Sequence, residues 1–535
     1  MDEHRAALSA HAWRALTYGV PLAFIAAFFV YPLVSILERG LGVGGDLAVL
    51  TDPLAREVLW FSAWQAVAST VLTILVALPA SYVLGRYTFP GRGVVFALVT
   101  VPFVLPTVVV ALAFLAVLPQ GAERGWEAIL IAHVFFNVAV VVRIVGTFWS
   151  GLDPRVSEAA ATLGAGPWRS LREVTLPLLA PALAAAGSLV FLFSFTSFGV
   201  VLILGGPRFS TLETEIYNQA VRLFDLETAA VLALVQLACV ALAVWVATRL
   251  ESKLAVRSPR RRERDVLRPL RTRGEKAFAA ASLGVLALFL GIPLAVLVER
   301  SFAVGAGHSL EAYRALTRST NALLASPWEA ILNSIVYAAG ATVIAAVVGG
   351  LAAFAVASST SGRTRALDGL LLLPLGASAV MLGFGFIVAF DAEPFDFRSS
   401  PLIVPVVQAL VAIPFVVRIV APTLRAIDER QREAAAVLGA SPGRVRREID
   451  VPIAGHALAV AAGFAFAISL GEFGATVFLA RPDSPTLPVA IFRFLGRPGE
   501  LNVGQAYALA VILMVVTAIS ILVIERLRRD RLGWF

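Results

Sequence analysis

The residues able to do covalent chemistry are few in this 535-residue sequence, and they form no catalytic pattern. A phosphate-binding loop needs Gly-Lys-Ser/Thr to bring a lysine onto the phosphates. The two lysines fail that requirement: Lys253 stands between Ser252 and Leu254, and Lys276 between Glu275 and Ala277. Five scattered histidines and one cysteine, Cys239, give neither a metal cluster nor a disulfide framework. No nucleophile stands beside a base. The chain is therefore expected to hold no cofactor or metal of its own and not to be an enzyme.

What the sequence does carry is a repeated segment. Glu158 to Pro177 aligns without gaps on Glu433 to Pro452, with 12 of 20 positions identical at an offset of 275 residues. Each copy starts Glu-Ala-Ala (Glu158, Ala159, Ala160; Glu433, Ala434, Ala435), reaches a glycine (Gly164; Gly439) and ends on a proline (Pro177; Pro452). Good helix formers from Glu158 to Leu163 predict a short helix stopped at Gly164, with the glutamate near its N-terminus. An alanine-faced helix covers little of its own backbone and can enter a groove on another protein. Two matched copies argue against a merely interfacial role.

The elements that position these segments are membrane spans. Apolar residues make up 59% of the chain and charged ones only 15%, with a mean hydropathy of +0.83, which excludes a soluble or disordered chain. A bilayer core needs about 20 apolar residues per helix. Twelve segments qualify, at 15–37, 58–85, 94–118, 126–150, 179–204, 227–249, 277–298, 329–357, 366–391, 400–425, 454–480 and 503–525. The first is too long, too proline-broken (Pro21, Pro32) and lacks the cleavage site of a signal peptide. The net charge of +8 lies between spans, so it sets orientation and is no nucleic-acid signal. With the N-terminus inside, inner segments hold 28 Lys and Arg against 12 outside, placing both termini and both repeated loops in the cytoplasm. The expected fold is an all-α integral membrane protein of two parallel six-helix repeats: residues 1–250, a basic linker at 251–276 containing Arg260-Arg261-Arg262, and residues 277–535.

The repeated pattern resembles the signature loop of permease subunits in binding-protein-dependent ABC importers, with valine replacing isoleucine at Val174 and leucine at Val451. Finer motifs are similar to fused permeases that import thiamine or ferric iron. They include Phe61-Ser62-Ala63-Trp64-Gln65, Ala132-His133-Val134-Phe135-Phe136-Asn137, Ser194-Phe195-Thr196-Ser197-Phe198-Gly199 and Ser469-Leu470-Gly471-Glu472-Phe473-Gly474. The resemblance implies that each loop is a coupling helix docking into an ATPase subunit. It implies two copies of a cytoplasmic ABC ATPase, which bind ATP and Mg, an extracytoplasmic solute-binding protein, and the lipid bilayer of a prokaryotic inner membrane as surroundings.

Polar residues inside spans mark candidate pathway positions. Glu472 in span 11 corresponds to Ser197 in span 5, and with Phe198 and Phe473 they form the expected asymmetric lining; a carboxylate there suits a cationic solute. Arg143 and Arg418, also repeat-equivalent, read as snorkelling or paired side chains, and His133 and Asn137 as helix-packing groups. An ion-coupled secondary transporter with Glu472 as coupling group is the alternative, but it gives no reason for two matched loops.

Overall fold

The structure, a computed structural model, describes residues 2–42, 47–119, 121–254, 266–304, 307–318, 323–358, 362–390, 397 and 400–529. Arg260-Arg261-Arg262 of the expected linker lies outside the described residues. The chain is almost wholly helical. It opens with α1 (Asp2–Ile25), which runs through a widened turn at Ala26–Val30 into α2 (Tyr31–Leu41). Pro32 causes that turn. It has no N–H, and its ring would strike the carbonyl one turn back, so the backbone shifts to an i→i−5 bond from Tyr31 N–H to Ala26 O.

α3 (Pro53–Arg86) is capped by Asp52 and runs into a two-residue strand, β1 (Tyr87–Thr88). Next come α4 (Arg92–Val104), α5 (Thr107–Val117) and α6 (Trp126–Trp149). The first repeated segment forms α7 (Pro154–Thr162) and α8 (Pro167–Ser170) and leads into α9 (Leu176–Phe195). α10 (Gly199–Leu204), α11 (Leu212–Tyr217) and α12 (Leu226–Leu254) finish the first half. Strand β2 (Arg268–Pro269) precedes α13 (Arg273–Arg300) and a short α14 (Glu311–Arg314). α15 (Pro327–Ala357), α16 (Gly362–Gly376), α17 (Ala379–Ala389) and α18 (Ile403–Arg425) follow. The second repeated segment forms α19 (Glu429–Val437) and α20 (Pro442–Val445) before α21 (Val451–Gly471). α22 (Thr476–Leu479), α23 (Leu487–Leu495) and α24 (Glu500–Arg529) complete the chain.

Among the described residues, ten helices are long and apolar enough to cross a bilayer. The expected span at 94–118 is α4 and α5, bent by 97° at Leu105–Pro106, and counts as an eleventh. The expected span at 366–391 is two pieces of 15 and 11 residues, parted where the Ser378 side chain accepts Met381 N–H at 3.0 Å and starts α17. Neither piece alone reaches across a hydrocarbon core of about 30 Å. Two further expected spans are shorter than read. The helix starting before 179 stops at Phe195, not 204, and the one starting before 454 stops at Gly471, not 480.

By packing, the described residues form two compact units. In one, residues 48–215 and 235–300, helices α3, α6 and α9 pack on one another and α13 lies against α5 and α3. In the other, residues 1–47, 216–234 and 301–535, helices α15, α18 and α21 pack together, α24 lies on α21, and α1 lies on α15. Each unit thus includes a helix distant in sequence from its main bundle, α13 in the first and α1 in the second. Exposed Trp60, Trp64, Trp126 and Trp328 stand near the starts of α3, α6 and α15, as interfacial aromatics do.

Candidate functional site

The two repeated segments adopt the same local geometry. α7 starts at Asp153, whose carboxylate accepts Arg155 N–H at 3.0 Å, and α19 starts at Asp428, which accepts Arg430 N–H at 3.0 Å. Glu158 and Glu433 therefore sit in the second turn, one turn further in than the sequence reading placed them. The signal was present in the Asp-Pro and Asp-Glu steps that open the helices. Both helices end in a Schellman motif. Gly164 N–H reaches Ala161 O at 3.0 Å and Ala165 N–H reaches Ala160 O at 3.0 Å; the equivalents at Gly439 and Ala440 are both 2.9 Å. The glycines carry φ of +84° and +82°, where a Cβ is disfavoured.

No residue of α7 or α19 is buried within the chain. Glu158, Ala159, Glu433 and Ala434 are exposed, and Ala160 and Ala435 half-buried. Leu163 and Leu438, just before the glycines, are 88% and 87% exposed. These two leucines, absent from the residues singled out by sequence, are the apolar tips of the loops. Beyond them, the ion pairs Arg169–Glu173 and Arg444–Glu448, both 2.9 Å, again match between copies. Pro177 and Pro452 each follow a widened turn, closed by Leu176 N–H to Leu171 O and by Val451 N–H to Arg446 O. The signature proline thus marks where the loop bends into its span.

The supports differ. Arg86 at the end of α3 donates to Ser157 Oγ of α7 at 3.3 Å. In the second loop Arg432 pairs with Asp450 at 2.9 Å, and the Arg446 guanidinium lies over the Trp13 ring at 5.3 Å.

The four expected pathway residues lie at two helix breaks and are all buried. After α9, Ser197 and Phe198 occupy the break before α10. From α3, Gln65 Nε2 donates to Ser194 O at 2.8 Å, answering a carbonyl at the end of α9. Asn137 and Ser69–His133 extend this buried polar cluster. After α21, Glu472 and Phe473 precede α22. The Glu472 carboxylate accepts Ala475 N–H at 2.7 Å and Thr476 N–H at 3.0 Å, so it caps α22. The break is tightly covered: a Cβ on Gly383 of α17 would stand 2.7 Å from Ala475 Cα. Arg143 donates to Thr100 Oγ1 at 2.9 Å, while Arg418 is exposed on α18.

The family model for the binding-protein-dependent transport system inner membrane component matches residues 77–256, which include the whole first loop. The thiamine transport system permease protein ThiP of Brucella abortus (strain 2308) is 28% identical over 552 residues, covering 98% of each chain. That of Escherichia coli (strain K12) is 27% identical over 508 residues, covering 90% of each. A probable ABC transporter permease protein, y4fN, of Sinorhizobium fredii is 26% identical over 545 residues, covering 95% of each. Over nearly its full length the chain is similar to fused permeases of the ABC importer type. Permeases of this family work with an ATPase and a substrate-binding protein. This permease crosses the membrane many times. Its second loop lies outside the family match, and there the equivalence rests on the shared caps, turns and ion pair described above.

Proposed function

We propose that this permease carries thiamine, delivered by an extracytoplasmic binding protein, across a bacterial inner membrane, and that α7 and α19 each dock one of two ATPase subunits. The observation that carries the coupling reading is the pair of loop helices with matching caps, glycine turns and exposed apolar tips. The solute reading rests on near-full-length similarity to thiamine permeases in two genera. ATP and Mg belong to the ATPase partners, since neither lysine stands in a phosphate-binding loop. The arginine distribution supports cytoplasmic termini and loops. We read 1–250 and 277–535 as two repeats joined by the linker at 251–276, with residues of each taking part in both packing units. We assign the pathway to the breaks at Ser197–Phe198 and Glu472–Phe473, because non-helical backbone at membrane depth is tolerated only where protein or a water-filled cavity meets it.

Reconstitution of the permease with its ATPase and binding protein tests this reading. Thiamine-stimulated ATP turnover with uptake of labelled thiamine is expected. Stimulation by a ferric complex but not by thiamine would overturn the solute; uptake without any ATPase would overturn the coupling.

A further inference from the structure

The short parallel pairing of β1 with β2 has no part in spanning a membrane, yet it is densely held. Tyr87 pairs with Arg268 and Thr88 with Pro269. Arg268 donates to Tyr87 Oη at 3.2 Å, lies over the Tyr87 ring at 5.2 Å and pairs with Glu275 at 3.1 Å. Glu275 in turn accepts the Arg271 and Thr272 N–H groups at 2.9 and 3.0 Å, fixing the start of α13. On the other side Tyr87 shares a hydrogen bond with Tyr82 at 3.3 Å, and Tyr82 packs edge-on against Trp149 and Phe278. Burial, then the hydrogen bond with Tyr82, pushes the Tyr87 hydroxyl up to about 12, so it remains protonated. The residue before Tyr87 is Arg86, which reaches Ser157 of the first loop helix.

The second unit has its own version. Arg446 of the second loop stacks on Trp13 of α1, and Trp13 packs edge-on against Phe354 of α15 at 5.6 Å. In both units an arginine–aromatic stack ties the surroundings of a loop helix to the leading helix of the other repeat.

We infer that the Tyr87–Arg268 latch is a positioning device that makes the first loop helix move with α13, the leading helix of the second repeat. The inference rests on reading α7 as an ATPase-coupling helix. Through Arg86 and Ser157, displacement of α7 is passed to the β1 corner, and through Arg268 and Glu275 to the first turn of α13. Arg268 and Tyr87 are positioning residues and touch no solute.

The test uses the permease assembled with its ATPase and binding protein in proteoliposomes, reading solute taken up per ATP hydrolysed. Arg268→Ala is expected to keep ATPase capture but lower that ratio roughly threefold to tenfold, the range for a residue along a coupling route. A cross-link supplies the control against simple loss of structure. Neighbouring strands lie about 4.8 Å apart, within disulfide reach. In a Cys239→Ser background, Thr88→Cys with Pro269→Cys is expected to cross-link on oxidation and to restore the ratio in Arg268→Ala. A normal ratio in Arg268→Ala overturns the inference, as does failure to cross-link, or a cross-link that restores nothing. A parallel arm with Ala159→Trp separates the two claims: if capture is normal there, the coupling reading of α7 has failed independently of the latch.

Discussion

The two loops share a surface and differ in their footing. Asp153 and Asp428 cap them alike, Gly164 and Gly439 turn them alike, and Arg169–Glu173 matches Arg444–Glu448. Their anchors have diverged: Ser157 receives Arg86 in the first, whereas Arg432 at the equivalent position pairs with Asp450 in the second. Trp168, 74% exposed in the first loop, is Gly443 in the second. The exposed caps, turns and tips are alike in the two loops, and the contacts with the surrounding helices differ. The helix breaks teach the same lesson. One is served from another helix by Gln65, the other from within its own strand of chain by Glu472.

Substitutions that obstruct the shared surface should have the largest effect. Ala159→Trp and Ala434→Trp keep the loop fold, because both positions are exposed, and each is expected to abolish uptake and ATPase co-purification. Equal loss from either loop would sharpen the comparison; normal uptake from one would break it. Gly164→Val and Gly439→Val should act next, each straining the turn by about 1–2 kcal/mol, seen as weakened capture with the bundle intact by thermal melting.

Effects confined to one side come after these. Glu472→Gln keeps one acceptor oxygen where two N–H groups now bond, and should destabilise the second unit by about 1–3 kcal/mol. Ser197→Ala at the equivalent place should cost less than about 0.5 kcal/mol. Denaturation of both variants in detergent checks the pair, and equal losses would remove the asymmetry. Arg432→Ala leaves Asp450, largely buried, without its ion partner and should weaken capture at the second loop only. The smallest effect belongs to Arg169→Ala and Arg444→Ala, whose exposed i,i+4 pairs contribute about 0.3–0.5 kcal/mol.

The spans were legible because about 20 apolar residues in a row have few other uses. Their interruptions were not, because composition reports on solvent and says little of backbone. Phe195 to Leu204 stays apolar while the helix breaks at Thr196–Phe198, and only the small polar residues there hinted at it. The bend at Leu105–Pro106 was signalled by its proline, and Ser378 caps α17 at the corresponding point of the second repeat. The loops were read correctly as short helices stopped by glycine, but Asp153 and Asp428, which start them, went unread. Leu163 and Leu438 were hidden for another reason. In a chain this apolar, composition does not mark which leucines stand in the open. The latch was beyond sequence reading altogether, since Tyr87 and Arg268 are 181 residues apart.

The central claim, that both loops seat ATPase subunits, is tested most directly by site-specific cross-linking. Ala161 and Ala436 are repeat-equivalent and exposed, and Cys239 is the only cysteine to remove. In the Cys239→Ser background, Ala161→Cys and Ala436→Cys should each trap one ATPase subunit with a short bifunctional reagent, and the double variant should trap two on one permease chain. Failure of both positions to trap any ATPase in an actively transporting complex would contradict the account.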